Sequence, residues 1–277
     1  MPKHTVLTLQ EQKKKGQPIT MLTAYDYTMS KLLDSAGVDM LLVGDSLGMV
    51  MLGYENTLAV TMEDMIHHSR AVARGAAQAM VVTDMPFMSY QTSIEGAVHN
   101  AGRLMKEGGA HAVKLEGGAF FAPHIQAIVR ASIPVVGHLG LTPQAVHALG
   151  GYRVQGRTVA AAQELLADAR AVEQAGAFAL VLECVPAPLA ALIARVLSIP
   201  VIGIGAGKGC DGQVLVAQDM LGMFADVRPR FVRQFSPVGE QIAEAVRQYC
   251  AAVKAGKFPS QEHGWDMDAA IVQQIEG

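Results

Sequence analysis

Nearly continuous apolar runs alternate with amphipathic segments along most of the chain. Runs such as "MLLVG", "MVVT" and "ALVL" are typical of strands buried on both faces of a parallel sheet. Segments such as 27–37 and 159–175 have the spacing of helices that cover one apolar face. Eight strand–helix units in about 250 residues predict a (β/α)8 TIM barrel. We also expect a short N-terminal helix near Thr8–Lys15 and a C-terminal helical extension.

The predicted strands follow from these runs and from the turn residues that bound them. In order, they are 18–26, 38–48, 80–87, 111–118, 133–141, 178–185, 199–207 and a short 212–216. Thr61 with Asp64, and Thr92 with Glu95, have the spacing of helix N-caps. The alternative is an open doubly wound sheet, but the acids are spread over many strand ends rather than gathered at one switch point.

Four further predictions concern the connections and the chain ends. A long loop is expected at 49–60 and a glycine-rich one at 142–158. An amphipathic helix at 237–256 should close the fold, and we expect the polar tail beyond Phe258 to pack on the barrel or on a neighbour.

The composition predicts a large apolar core and argues against several classes of function. Hydrophobic residues make up 51% of the 277 residues and charged ones 17%, which favours a single domain over 1–277. The net charge of −3, without a basic stripe, argues against nucleic-acid binding. Three cysteines without CxxC spacing favour a reducing, cytoplasmic setting and argue against a zinc site. We expect no membrane segment, because acids or glycines interrupt every apolar run.

Acidic residues stand at or near the C-terminal ends of four apolar runs, and these are Asp45, Asp84, Glu116 and Glu183. In a parallel barrel these strand ends open on one face, so we expect the acids to converge there. Asp45, Asp84 and Glu116 come from neighbouring strands, and their mutual repulsion favours a bound cation. Hard oxygen ligands without a His/Cys set indicate Mg²⁺, with Mn²⁺ as the alternative, rather than zinc. The alternative is that individual acids cap the following helices.

The other candidate groups are Lys114, His138 and Glu183. Lys114 precedes Glu116 by two residues, so both should face the same side of the strand, where Lys114 could neutralise a substrate carboxylate. Glu183, across the barrel, is placed for a general base or for a buried ion pair. His138 lies between them and could bind substrate, tune a pKa or be a core histidine.

Glycines crowd the segment Gly203–Gly212, "GIGAGKGCDG". The segment comes late in the chain and lacks the acid that a ribose contact needs, and Lys208 is not followed by Ser or Thr. We therefore expect neither a Rossmann nor a Walker loop. A backbone approach to a ligand or an anion nest is the preferred interpretation.

Long sequence segments of the chain resemble those of ketopantoate hydroxymethyltransferases. They include "TAYDYTMSKLLDSAGVDMLLVGDSLGMVMLGYENTLAVTMEDMIHHSRAV", "VVTDMPFMSY", "AVKLEGG", "IPVVGHLGLTPQ", "LVLECVP" and "CDGQVLV", and they extend from about Thr20 to Phe235. The resemblance implies a TIM barrel, an Mg²⁺ ion and a cytoplasmic homo-oligomer, a decamer in the bacterial relatives. Asp45 and Asp84 would contact the metal, and Glu116 would do so directly or through water. One departure is Gln218, where relatives often have histidine.

The implied activity transfers a hydroxymethyl group from 5,10-methylenetetrahydrofolate to the small keto acid 3-methyl-2-oxobutanoate. The product is 2-dehydropantoate, in pantothenate biosynthesis. The resemblance implies that Asp45, Ser46, Asp84 and Lys114 hold the keto acid and that Glu183 accepts the proton.

Two other functions remain open. An enzyme of the phosphoenolpyruvate mutase and isocitrate lyase kind would share Mg²⁺–enolate chemistry, but its KKCGH-like loop is absent and Cys210 is a poor substitute. A non-catalytic metal- or folate-binding barrel would make Glu183 dispensable.

Overall fold

A closed barrel of parallel strands forms the centre of the computed structural model, which describes residues 3–224 and 229–277. Each strand pairs with the next in sequence, and the last pairs with the first. Within the described residues the strands are β1 Ile19–Thr23, β2 Met40–Val43, β3 Met80–Asp84, β4 Ala112–Glu116, β5 Val135–Gly140, β6 Ala179–Glu183, β7 Val201–Ile204 and β8 Gly212–Leu215. The predicted (β/α)8 TIM barrel is confirmed, and the open doubly wound sheet is excluded.

Helices follow the strands and surround the barrel. Within the described residues they are α1 Val6–Lys14, α2 Tyr27–Ser35, α3 Leu47–Val50, α4 Met62–Gly75, α5 Ile94–Lys106, α6 Ala122–Arg130, α7 Val159–Gln174, α8 Ala187–Val196, α9 Ala217–Met220, α10 Val238–Lys254 and α11 Ala269–Glu276. Single 3₁₀ turns occupy Ala119–Phe121, Pro143–Ala145 and Gln261–His263. No helix in this part of the chain is both long enough and apolar enough to cross a membrane.

Two apolar cores share the strands because successive side chains point to opposite faces of the sheet. The outer core packs the strands against the helices. The inner core fills the barrel with side chains that include Met21, Met40, Val82, Val136 and Ile202. The barrel interior is therefore packed rather than open at this level.

Helix α1 closes the N-terminal end of the barrel. Leu9 is fully buried among the inner-core residues, whereas Leu7 on the same helix is 75% exposed. Polar contacts hold the helix in place: Lys13 Nζ lies 2.7 Å from Asp211 Oδ2, and Gln12 Nε2 donates to Asp39 Oδ1 at 3.1 Å. The predicted N-terminal helix thus completes the core.

Helix caps confirm one predicted boundary and correct two others. Thr61 and Asp64 form the expected capping box at the start of α4. Asp26 does not end a strand as predicted, because β1 stops at Thr23 and the Asp26 side chain caps α2 by accepting from the Met29 N–H. The predicted cap Thr92 is also wrong, since the neighbouring Ser93 accepts from the Gly96 N–H.

The predictions for the 49–60 loop and the C-terminal part need correction as well. Helix α3 occupies the start of the predicted loop. Helix α10 buries none of its residues on the barrel, so it does not close the fold, and its exposed Ile242, Val246, Tyr249 and Val253 form an apolar stripe. The tail carries α11 and is exposed, so it does not pack on the barrel, and its packing on a neighbour stays a prediction. Homo-oligomerisation stays a prediction, and this stripe is a candidate contact surface.

Removing the Leu9 side chain should destabilise the protein. Leu9→Ala leaves a cavity at the closed end of the barrel, and we expect the free energy of unfolding to fall by about 2–5 kcal/mol. Leu7→Ala on the same helix is the matched control, with an expected change within about 0.5 kcal/mol. Urea unfolding followed by circular dichroism measures both. Equal losses in the two variants would contradict the role of Leu9 in the inner core.

Candidate active site

Charged side chains replace apolar ones where the inward-facing positions reach the C-terminal ends of the strands. On β3 the inward positions run Met80, Val82 and then Asp84, and on β4 Ala112 is followed by Lys114 and Glu116. The strand register sets Asp84 beside Lys114.

On the other side of β4, the register sets Glu116 beside His138 of β5. The expected convergence of these residues is confirmed. Glu183 at the end of β6 completes the group, and its side chain is 16% exposed, compared with 4% for Glu116.

Asp45 and Ser46 join this group from the turn after β2. The Asp45 N–H donates to Asp84 Oδ2 at 3.1 Å. Gly44 permits this turn, because a Cβ there would meet the Ser46 hydroxyl and the Asp84 carboxylate. The Ser46 hydroxyl lies 2.8 Å from the buried Tyr25 hydroxyl, which restricts its orientation.

Helix capping does not explain the acids. The N-cap positions of the following helices are Ser46 for α3, Ser93 for α5 and Phe121 for α6. Neither Asp45, Asp84 nor Glu116 occupies such a position. The alternative offered by the sequence is therefore wrong for these three residues.

Lys114 and His138 connect the acids on opposite sides of the barrel mouth. Lys114 Nζ lies 2.9 Å from Asp84 Oδ1 and 3.2 Å from His138 Nδ1. The ring of His138 lies between two carboxylates, with Nδ1 3.3 Å from Glu116 Oε1 and Nε2 3.3 Å from Glu183 Oε2. Only the lysine contact is oriented as a hydrogen bond, with Nδ1 accepting. In the neutral ring this leaves the proton on Nε2, next to Glu183.

Gln144 is the central polar residue that sequence reasoning missed. Its Nε2 donates to Asp45 Oδ2 at 2.8 Å and to the Met85 carbonyl at 2.9 Å. Its backbone N–H donates to Glu116 Oε2 at 3.0 Å. Its Oε1 accepts from the Tyr90 hydroxyl at 3.0 Å. The sequence signal was the string "GLTPQ", in which Gln144 stands just beyond the end of β5.

Burial and neighbouring charges together raise the pKa values of Asp45, Asp84, Lys114 and His138. Burial, followed by repulsion from Asp84 and Glu116, raises the pKa of Asp45 well above its usual value. Burial also raises the pKa of Asp84, although Lys114 opposes the shift. Burial lowers the pKa of Lys114, but Asp84, Glu116 and Asp45 outweigh it and raise the pKa. For His138, Glu116 and Glu183 raise the pKa against burial and Lys114.

The donor set fits a hard divalent cation. When all four carboxylates are ionised they outnumber the two cationic groups even with His138 protonated, and a bound cation would favour this ionised state. Asp84 Oδ1 has the lysine ammonium as a neighbour but no directed hydrogen bond. Carboxylate oxygens are the ligands that Mg²⁺ prefers. Within the described residues these side chains are not drawn together into a ready-made group of three metal ligands, so the fit lies in the chemistry of the donors and not in their present spacing.

The glycine segment after β7 serves packing. A Cβ at Gly207 would collide with Ala187, and one at Gly209 would collide with Ala191, both on α8. Gly205 and Gly207 also have positive φ angles, at 62° and 79°. These glycines let the segment lie directly against α8. A ligand-binding role for the segment stays a prediction.

Comparison with known proteins establishes the family. The family model described as "Ketopantoate hydroxymethyltransferase" matches residues 3–261. The chain belongs to the ketopantoate hydroxymethyltransferase family. Membership makes the chain an enzyme of the hydroxymethyltransferase class, as the resemblance of its strings implied. The alternative from the sequence was an enzyme of the phosphoenolpyruvate mutase and isocitrate lyase kind. The family model that matches is a different one.

Curated relatives agree along the whole chain. A protein of Clostridium botulinum (strain Loch Maree / Type A3) is 60% identical over 273 residues, covering 99% of both chains. A protein of Syntrophus aciditrophicus (strain SB) is 60% identical over 263 residues, covering 95% of this chain and 97% of its own. Both are named 3-methyl-2-oxobutanoate hydroxymethyltransferase.

Solved structures share the fold at low sequence identity. A phosphonopyruvate hydrolase in complex with oxalate and Mg²⁺ matches with a TM-score of 0.62 and 14% identity, covering 100% of this chain and 95% of its own. A 2,3-dimethylmalate lyase, a member of the PEP mutase/isocitrate lyase superfamily, matches with a TM-score of 0.58 and 15% identity, covering 98% and 94%. This likeness concerns the barrel fold alone.

Replacing Gln144 by leucine should destabilise the fold. Gln144→Leu removes the amide that donates to the buried Asp45 carboxylate and leaves that acceptor unsatisfied. We expect a loss of about 1–3 kcal/mol in the free energy of unfolding. Gln163→Leu at an exposed position of α7 is the control, with a change within about 0.5 kcal/mol. Urea unfolding at neutral pH measures both, and a Gln144→Leu protein as stable as the control would show that the amide bonds contribute nothing.

Proposed function

We propose that the chain catalyses the Mg²⁺-dependent transfer of a hydroxymethyl group from 5,10-methylenetetrahydrofolate to 3-methyl-2-oxobutanoate. The product would be 2-dehydropantoate, for pantothenate biosynthesis. Family membership and the name shared by the curated relatives support this reaction. The observation that carries the mechanism is the position of Glu183 opposite Asp45 and Asp84, joined to them through His138 and Lys114.

Asp45, Asp84 and Glu116 are the residues that would hold the ion. When bound, Mg²⁺ would act as a Lewis acid and stabilise negative charge that develops on the keto acid. The phosphonopyruvate hydrolase of similar fold was solved with oxalate and Mg²⁺, which is in line with this assignment. The bonds from Gln144 to Asp45 and Glu116 would keep two of these carboxylates in place.

The keto acid would bind among Asp45, Ser46, Asp84, Lys114 and His138. The Lys114 ammonium supplies positive charge for the substrate carboxylate, and its raised pKa keeps it protonated at neutral pH. Ser46 would donate or accept one hydrogen bond to the substrate, in an orientation that Tyr25 restricts. A buried lysine is well suited to this task because little water competes for its charge.

Glu183 would be the general base. Glu183 would take the proton from C3 of the keto acid. The electron pair of the broken C–H bond would remain on the substrate as an enolate. Water would first hydrolyse the methylene bridge of the folate, which breaks both C–N bonds, returns protons to the nitrogens and releases tetrahydrofolate and a one-carbon unit at the oxidation level of formaldehyde. The enolate carbon would then attack this carbon, and the oxygen that came from water would take up a proton and become the hydroxyl group. His138 Nε2, 3.3 Å from Glu183 Oε2, would hold the carboxylate facing the substrate.

Glu183→Gln should abolish proton transfer while leaving the keto acid bound. An amide keeps the shape of the side chain but cannot accept the C3 proton, so we expect deuterium exchange at C3 to slow by about 10²–10⁴-fold. Proton NMR in D₂O with 3-methyl-2-oxobutanoate and Mg²⁺ measures the exchange. Glu164→Gln, at an exposed position of α7, should exchange as the wild type does. Near-normal exchange by Glu183→Gln would remove Glu183 as the base.

Asp84→Asn should weaken divalent-cation binding. The change removes one negative oxygen from a donor set of hard ligands, and we expect affinity to fall by about tenfold or more. Mn²⁺ binding followed by electron paramagnetic resonance provides a readout that does not depend on turnover. Asp266→Asn, in the exposed tail, is the charge-matched control. If both variants bound Mn²⁺ as tightly as the wild type, Asp84 would not be a ligand.

A further inference from the structure

The carboxylates of Asp45, Asp84, Glu116 and Glu183 are called the acid cluster below. A cavity of about 370 Å³ lies directly beside it. Its inner end is formed by Glu116 and Gln144, and its walls include Leu58, Phe87, Tyr90 and Phe121. Cavities of this size, with mostly apolar walls and a few polar groups, are typical of small-molecule sites. The volume is large enough for the ring system of a small organic molecule.

The walls favour a flat, neutral ring. The Tyr90 and Phe121 rings meet edge to face with centroids 5.3 Å apart, and Phe87 is 37% exposed beside them. Among the described residues, the lining contains neither lysine nor arginine. Aromatic walls attract planar rings through dispersion and quadrupole contacts. An anionic occupant would instead meet Glu116 without an ammonium or guanidinium group to offset its charge.

The cavity and the acid cluster share a wall that is one side chain thick. Tyr90 lines the cavity, and its buried hydroxyl donates to Gln144 Oε1 at 3.0 Å. The amide nitrogen of the same Gln144 donates to Asp45 Oδ2 at 2.8 Å. A ring seated against Tyr90 and Gln144 therefore lies next to the carboxylates that the keto acid approaches.

We propose that this cavity binds the fused heterocyclic ring of the tetrahydrofolate cosubstrate. The inference rests on the proposed function and assigns a place to its second substrate. The keto acid is anionic and belongs beside Lys114, whereas the pterin ring is neutral and planar and belongs in the cavity. The carbon to be transferred is attached to this ring at N5, so the ring must lie against the acid cluster. The charged tail of the folate then leaves past the half-exposed Phe87.

Truncation of Phe87 tests the site. Phe87→Ala removes an aromatic wall, and we expect the KM for 5,10-methylenetetrahydrofolate to rise roughly tenfold. The Kd for 3-methyl-2-oxobutanoate with Mg²⁺, measured calorimetrically without folate, should stay within about twofold. Phe120→Ala is the matched control, because Phe120 is 82% exposed and does not line the cavity. It should change neither constant.

Filling the cavity gives a second, independent test. Ala148 lines the cavity from an exposed position, so Ala148→Trp adds a large side chain without burying it in the core. We expect the KM for the folate to rise at least as much as in Phe87→Ala, while circular dichroism and thermal unfolding match the wild type.

The outcomes separate the subsite from the reaction. If the wild type forms 2-dehydropantoate but both variants keep a normal folate KM, the subsite is wrong and the reaction stands. If the variants weaken keto-acid binding instead, the cavity holds the branched alkyl group of the keto acid, and the proposal is overturned. If the wild type exchanges no C3 proton and forms no 2-dehydropantoate, the proposed function itself fails.

Discussion

Closure of the eight-stranded sheet brings every inward-facing side chain into one enclosed volume. Toward the N-terminal end that volume is filled by apolar side chains and sealed by Leu9 of α1. Toward the C-terminal end the same positions carry Asp84, Lys114 and Glu116. Because the strands are parallel and their register sets Asp84 beside Lys114 and Glu116 beside His138, the change from apolar to charged occurs at neighbouring positions on β3, β4 and β5. The site is thus a direct consequence of the fold.

Buried charges at this level are held because each has a partner. Removing a carboxylate from water costs several kcal/mol unless an opposite charge or a directed donor offsets it. Lys114 forms an ion pair with Asp84, and Gln144 donates hydrogen bonds to Asp45 and Glu116. The compensation is incomplete when all the carboxylates are ionised, because they then outnumber the cations. Burial raises the pKa values of Asp45 and Asp84, and a divalent cation is the simplest group that would stabilise their charged forms.

Charge also separates the two substrates that the proposed reaction needs. The lysine and the acids form a strongly polar chamber that suits a small anion and its metal. The neighbouring cavity is lined by Phe87, Tyr90 and Phe121 and suits a neutral ring. Gln144 stands between them and bonds to both sides through Asp45 and Tyr90. One amide side chain thereby fixes the spacing of two environments of opposite polarity.

The sequence by itself determined the barrel, most element positions and the acids at the strand ends. Those features depend on local rules: apolar runs make buried strands, and Thr61 with Asp64 makes a capping box because its atoms are three residues apart. Spacing predicted Thr92 as the next cap, but the adjacent Ser93 has the same chemistry, and only backbone geometry selects Ser93. The resemblance to a family added candidate roles that spacing alone could not assign.

Only the tertiary structure decided which of these groups touch. Gln144 reaches Asp45 across 99 residues of sequence, and His138 lies between Glu116 and Glu183 because the register of β4, β5 and β6 sets them side by side. The exposure of α10 was likewise invisible in its amphipathic pattern, which marks an apolar face but not what covers it. Contacts between distant residues depend on how the chain closes on itself, and no local pattern encodes that closure.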